Sequence, residues 1–307
     1  MQRHSLITLA VFAAMIVAAL FVALPALADG VPYKLPVKRA TVDSAAKLAD
    51  YFADADYTVK GINQAGGVPR IFVRHLPEGI DALPAADKEG LFIRVLLPMI
   101  AKGNHIILQQ RERLLGILRQ RAAGWLPTGN DRYWLSQIAQ AYQTSPDNFH
   151  ALLRRVDVVP ASLALAQGIE ASAWGTAGPA RTQNNLFATH ARDGVTGDAG
   201  FPTLMRGVLA YMYKINVAAR YREARYIRAE AREDGDFPTG DAMAAGLATD
   251  PEDATKYGEA LRNIISTRNL AAYDRIKLMP YGKTVLVAPS TSPKSRNRAL
   301  SATTPWT

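Results

Sequence analysis

The sequence predicts a mainly α-helical protein with at most a small β-hairpin inside residues 186–201. Three observations carry this. Apolar residues recur at helical spacing through most of residues 86–274. No stretch alternates apolar and polar residues long enough to make a sustained strand. The chain has 307 residues, 49% hydrophobic and 21% charged, which is enough for a sizeable core in one large or two modest domains.

Residues 1–28 have the layout of a secretory signal peptide. Arg3 and His4 precede an apolar run from Leu6 to Leu24. Pro25 then breaks the run, and Ala26-Leu27-Ala28 is a small-x-small cleavage site. Cleavage after Ala28 would make Asp29 the mature N-terminus and place the protein in the periplasm or cell envelope. The same run is long enough to anchor the chain if it is not cleaved. With the signal cleaved, no integral membrane domain is expected.

Residues 29–59 read as an N-terminal extension, Pro- and Lys-rich to residue 42, then a short helix over 44–56 with Leu48, Tyr51 and Phe52 on one side. Residues 60–125 form a helical N-terminal region. It begins as a loop over 61–84 with a short extended run at Ile71-Phe72-Val73. A long helix follows from Ala86 to about Ala123, with a kink expected at Pro98 and a break at Gly103-Asn104. Residues 126–278 hold the main domain. Its helices are expected at 130–142, 147–155, 160–174, 203–217, 220–234, 251–267 and 269–274, with an irregular loop over 175–201. Residues 279–307 are expected to be a disordered tail, since the chain beyond Ala288 has no periodicity.

Composition narrows the chemistry. There is no cysteine, which excludes disulfides, thiolate metal sites and cysteine nucleophiles. Lys plus Arg number 36 against 27 for Asp plus Glu, and the pI is near 9.7. A basic exported protein suits an anionic polymer of the cell wall; no nucleic-acid partner is expected. His75, His105, His150 and His190 stand singly without ligand spacing, so neither a metal site nor a cofactor is expected.

The chemistry-bearing segment runs from Pro160 to Gly175. Pro160 suits a first helical turn and Gly175 a helix stop. The helix between them is apolar nearly all round, hence central, and Glu170 is its one ionisable residue. Burial there would favour the protonated carboxyl that a glycosidase needs to protonate a leaving oxygen; the other reading of the same residue is a Glu at a helix end that faces solvent or bonds a nearby backbone N–H. Trp174, four residues on, is expected on the same face as a sugar platform.

Ser162 to Phe187 resembles the core motif of the glucosaminidase domain, glycoside hydrolase family 73. That motif is an Ala-Gln-x-x-Glu-Ser-x-Trp-Gly-like block followed by Asn-Leu-Phe-Gly. Val68–Pro98, Phe201–Asn216, Ala219–Arg222 and Tyr257–Asp274 are similar, in order, to the Bax-type members of Gram-negative bacteria. The resemblance implies a lysozyme-like helical fold with a substrate groove. It also implies cleavage of the β-1,4 bond between N-acetylglucosamine and N-acetylmuramic acid in peptidoglycan glycan strands. Glu170 is then the general acid, Tyr221 a second catalytic residue, and Trp174, Asn185 and Phe187 bind substrate. Two positions depart from the pattern: Ala171 where relatives have Ser, and Ala188 where they have Gly. Relatives that use a second carboxylate take it from a hairpin; here only Asp193 and Asp198 fall in that region. Two other readings fit the same residues: a lytic transglycosylase, and a catalytically silent wall-binding module.

Arg220, Arg222, Arg225, Arg228 and Arg232 crowd one segment with Glu223, Glu230 and Glu233. The pattern reads as a solvated helix with Glu–Arg pairs, or else as a glycan-facing patch.

Overall fold

A computed structural model describes residues 37–189, 200–247 and 254–289. The leader and its cleavage site, Asp193, Asp198 and His190, and the chain beyond residue 289 lie outside them. The fold class is mainly α. Strand β1 (Val37–Val42) leads into α1 (Ala45–Asp54), α2 (Val59–Ala65), β2 (Gly67–Val68) and β3 (Ile71–Val73). Then come α3 (Ala85–Ala122), α4 (Gly129–Ala141), α5 (Phe149–Arg155), α6 (Ala161–Ser172) and α7 (Gly178–Gln183). After α8 (Leu204–Val217) and a 3-10 turn (Ala219–Tyr221) follow α9 (Arg222–Glu233), α10 (Gly240–Ala245) and α11 (Ala254–Thr267). A second 3-10 turn (Leu270–Tyr273), β4 (Lys277–Leu278) and β5 (Thr284–Pro289) complete the described chain.

Helix α3 is the spine. Its first half is buried almost continuously from Leu91 to Ala101. It runs through Pro98 and through Gly103-Asn104 without the expected break. Asn104 instead docks the loop before α6: its amide donates to the Val159 carbonyl at 2.8 Å and its Oδ1 accepts from Val159 N at 2.9 Å. A turn-forming residue is here a tertiary anchor, and packing overrides its local preference.

Two expectations about strands and tail are corrected. Residues 284–289 are not tail: β5 is the centre of a three-stranded parallel sheet, ordered β1-β5-β3. Val285 and Val287 turn into the core while Leu286 faces out, the alternation of a half-buried strand. β2 and β4 pair in a second, two-stranded parallel sheet. The short helices α2 and α7 lie where loops were expected. Thr58 caps α2 through its side chain.

The arginine cluster is corrected too. Arg225 and Arg228 are buried rather than solvated. Arg228 donates to the carbonyls of Arg154, Asp157 and Val158 and to Asn216 Oδ1 at 2.6–3.1 Å. Asp157, also buried, pairs with Arg111 at 3.4 Å and Arg232 at 3.0 Å. Burial pulls Arg228 down to about 10, with the Asp157 charge opposing. This charged hub ties the loop before α6 to α3, α8 and α9.

Candidate active site

Helix α6 is enclosed by α3, α10, α11 and the Leu270–Tyr273 turn. Every residue from Ala161 to Ile169 is buried. Pro160 at its start offers no side-chain cap. Asp274 supplies one from the far end of the domain. One carboxylate oxygen accepts from Ser162 N at 2.8 Å, the other from Gly240 N at 3.1 Å, so a single buried acid serves the N-termini of α6 and α10. Burial pushes the Asp274 carboxyl above its ordinary value, against the pull of those N–H bonds.

The helix ends abruptly. Ala173, Trp174 and Gly175 all have positive φ (47°, 61° and 82°). A left-handed conformation costs about 1–2 kcal/mol per non-glycine residue. Ser172 holds the turn: its hydroxyl donates to the Gly168 carbonyl and accepts from Gly175 N, and its carbonyl accepts from Ala177 N. Glu170 therefore sits on the last regular turn of a rigid, deeply buried helix, followed at once by strained backbone.

Glu170 itself is exposed, which corrects the expectation of a buried or half-buried carboxyl. The helix is buried, but the chain opens to solvent at that residue. It opens into a cleft of about 190 Å³, lined also by Gln167, Phe187, Tyr211, Lys214, Arg220, Tyr221 and Tyr257. Among these lining residues Glu170 is the one carboxylate.

The cleft floor is built by close approach. Gly168 lies two residues before Glu170; a Cβ there would sit 3.3 Å from the Phe187 ring and 3.2 Å from Leu96. Phe187 in turn stacks on Tyr211 with centroids 4.0 Å apart and planes 12° apart. Tyr211 Oη donates to Gln167 Oε1 at 2.8 Å, and Gln167 Nε2 donates to Tyr257 Oη at 3.0 Å. With its oxygen already accepting from Gln167, the Tyr257 hydroxyl keeps its proton to give within the cleft. Burial raises Tyr257 above its ordinary value; the Glu170 charge adds to the rise and Arg220 opposes it.

The predicted site residues divide. Glu170, Tyr221 and Phe187 line one cleft; Trp174 and Asn185 do not. Because the helix stops at Ser172, Trp174 does not share a helix face with Glu170. It packs edge-on against Phe92, with Arg268 over its ring. Asn185 is buried and closes its own loop, its side chain bonding the N–H and carbonyl of Thr189. Gln167, Lys214, Arg220 and Tyr257 were not predicted as site residues. Two of them had a signal: Gln167 by its place three residues before Glu170 on a helix, and Arg220 by its place in the arginine run whose second reading was a glycan-facing patch.

Residues 147–270 match the family described as Mannosyl-glycoprotein endo-beta-N-acetylglucosaminidase. Over 166 residues, half of this chain, the sequence is 31% identical to Protein bax of Escherichia coli (strain K12). Residues 147–270 are thus similar to a glucosaminidase domain, and half of the chain is similar to a Bax protein. The chain covers 59% of that relative's length. No solved structure matches it. All the cleft residues fall within the matched 147–270, so the cleft belongs to the glucosaminidase domain itself.

Proposed function

We propose that this is an exported peptidoglycan hydrolase. It cleaves the β-1,4 bond between N-acetylglucosamine and N-acetylmuramic acid, with Glu170 as general acid. The observation that carries the reading is the placement of Glu170: on the end of a buried helix, at the mouth of a tyrosine-lined cleft.

The chemistry follows from this placement. A sugar chain seated in the cleft brings a glycosidic oxygen to the exposed Glu170 carboxyl and displaces water from around it. Glu170 then gives its proton to the departing glycosidic oxygen as the C–O bond breaks. As that bond breaks, the oxygen of the sugar's own 2-acetamido group closes on the same carbon from the opposite face; water then adds from the side the leaving group has vacated, reopens that ring and gives its proton to Glu170. A second protein carboxylate is therefore not required. Tyr257, oriented by Gln167, and Tyr221 supply hydroxyls at the reacting centre. Phe187 forms the floor.

Digesting purified sacculi and determining the new chain ends by mass spectrometry tests this. Fragments ending in reducing N-acetylglucosamine support it. Ends in anhydro-N-acetylmuramic acid would mean a lytic transglycosylase. Binding to sacculi without release would mean a silent wall-binding module.

A further inference from the structure

We propose that Lys214 and Arg220 form a carboxylate-binding subsite in the cleft, which selects a glycan bearing acidic substituents over a neutral β-1,4 glycan. This rests on the reading of the cleft as the glycan site.

The two cations come from successive elements. Lys214 lies in the last turn of α8, and Arg220 in the 3-10 turn that follows. Both converge on one ring: Lys214 Nζ lies 5.9 Å and Arg220 Cζ 5.0 Å from the centroid of Tyr221. Both line the same cleft as Glu170. The lining residues thus bring two positive charges against one carboxylate. Lys214 is 5% exposed. An ammonium buried that far is costly unless its surroundings are electron-rich or anionic. The face of Tyr221 provides part of that, and protein partners of both cations provide more. A substrate carboxylate would join this set. Arg220 is exposed, with a planar fork that suits bidentate contact with a carboxylate.

A neutral glycan offers hydroxyls and acetamides, which hydroxyl and amide groups bind without any cation. A muramic-type sugar adds a lactyl ether with a carboxyl group, free or extended by a peptide that carries carboxylates of its own. The subsite reads that carboxylate. It lines the same cleft as the acid, so it fixes which sugar sits on each side of the scissile bond.

The test compares kcat/KM on three substrates: chitin oligosaccharides, peptide-free wall glycan, and peptide-bearing wall glycan. Wild type, Arg220→Gln and Lys214→Met are each measured, with melting temperature as the folding control. Wild type should prefer an acidic glycan to chitin oligosaccharides by about tenfold or more, as a charge-assisted contact implies. Arg220→Gln should cut that preference at least threefold, mainly through KM, and 0.5 M NaCl should narrow it in the wild type. Preference for the peptide-free glycan identifies the lactyl carboxylate. Preference only for the peptide-bearing one identifies the stem. Should Lys214→Met fail to fold, the exposed Arg220 still decides. Equal wild-type turnover of neutral and acidic glycans, or an unchanged ratio in Arg220→Gln, overturns the subsite and leaves the hydrolase intact. No turnover of any glycan overturns both.

Discussion

Asp274 lies outside the matched family region, yet the start of the Glu170 helix depends on it. Replacing it with alanine removes the acceptor for two backbone N–H groups, Ser162 at 2.8 Å and Gly240 at 3.1 Å. Each buried, unpaired donor costs about 1–3 kcal/mol. Relief of the buried carboxylate, 7% exposed, returns part of that. The expected net loss for Asp274→Ala is about 2–4 kcal/mol, or a fall in melting temperature of roughly 4–15 °C for a domain of this size. The pH dependence has a definite sign. The folded carboxyl titrates above its ordinary value of 3.8. The native state therefore binds this proton more tightly than the unfolded chain does. The group's contribution is greatest below pH 3.8 and is lost as pH rises through the raised value. The gap between wild type and Asp274→Ala should widen on acidification from pH 7 toward pH 4. Thermal melts of both proteins across that range test it. A variant melting within 1 °C of wild type at every pH would refute the capping role, and a gap that narrows toward pH 4 would refute the raised titration.

Tyr257→Phe should lower glycan turnover about 5- to 100-fold, the worth of one buried hydroxyl contact, and also cost about 1–3 kcal/mol of stability, because the buried Gln167 amide loses its acceptor. Wild-type turnover in that variant would remove Tyr257 from the site. Ala188 has φ of 45°, a left-handed conformation that a glycine adopts without strain. Ala188→Gly should stabilise the loop by up to about 0.5–1 kcal/mol, read by denaturant unfolding; a loss of stability would contradict the strain.

The helical framework was legible because its signal is local. The 3.6-residue periodicity of residues 130–174 and 203–274 and the apolar wrap of α6 need no knowledge of partners. The sheet was not legible for the opposite reason. Val37 pairs with Thr284 and Ile71 with Val285, more than two hundred residues apart, in strands too short to show a pattern alone. Glu170 was found because one acid interrupts an apolar helix. Its solvent exposure could not be read, since that depends on where α8, the 3-10 turn and α11 leave a gap. Trp174 was misplaced because three successive left-handed residues end the helix early, and two of them are not glycine. Lys214 and Arg220 looked like ordinary charges until Tyr221 brought them together. Arg225 and Arg228 looked solvated because a sequence does not show which carbonyls remain unpaired inside.

Release of soluble muropeptides from sacculi by Glu170→Gln is the most direct test of the central claim. Glutamine keeps the shape and hydrogen bonding of the side chain but has no proton to transfer. Release should fall about a hundred- to ten-thousand-fold, with melting temperature and sacculus binding preserved. Asp193→Asn and Asp198→Asn should each cost far less. Wild-type release by Glu170→Gln, with release lost in Asp193→Asn or Asp198→Asn, would show that another carboxylate protonates the leaving oxygen.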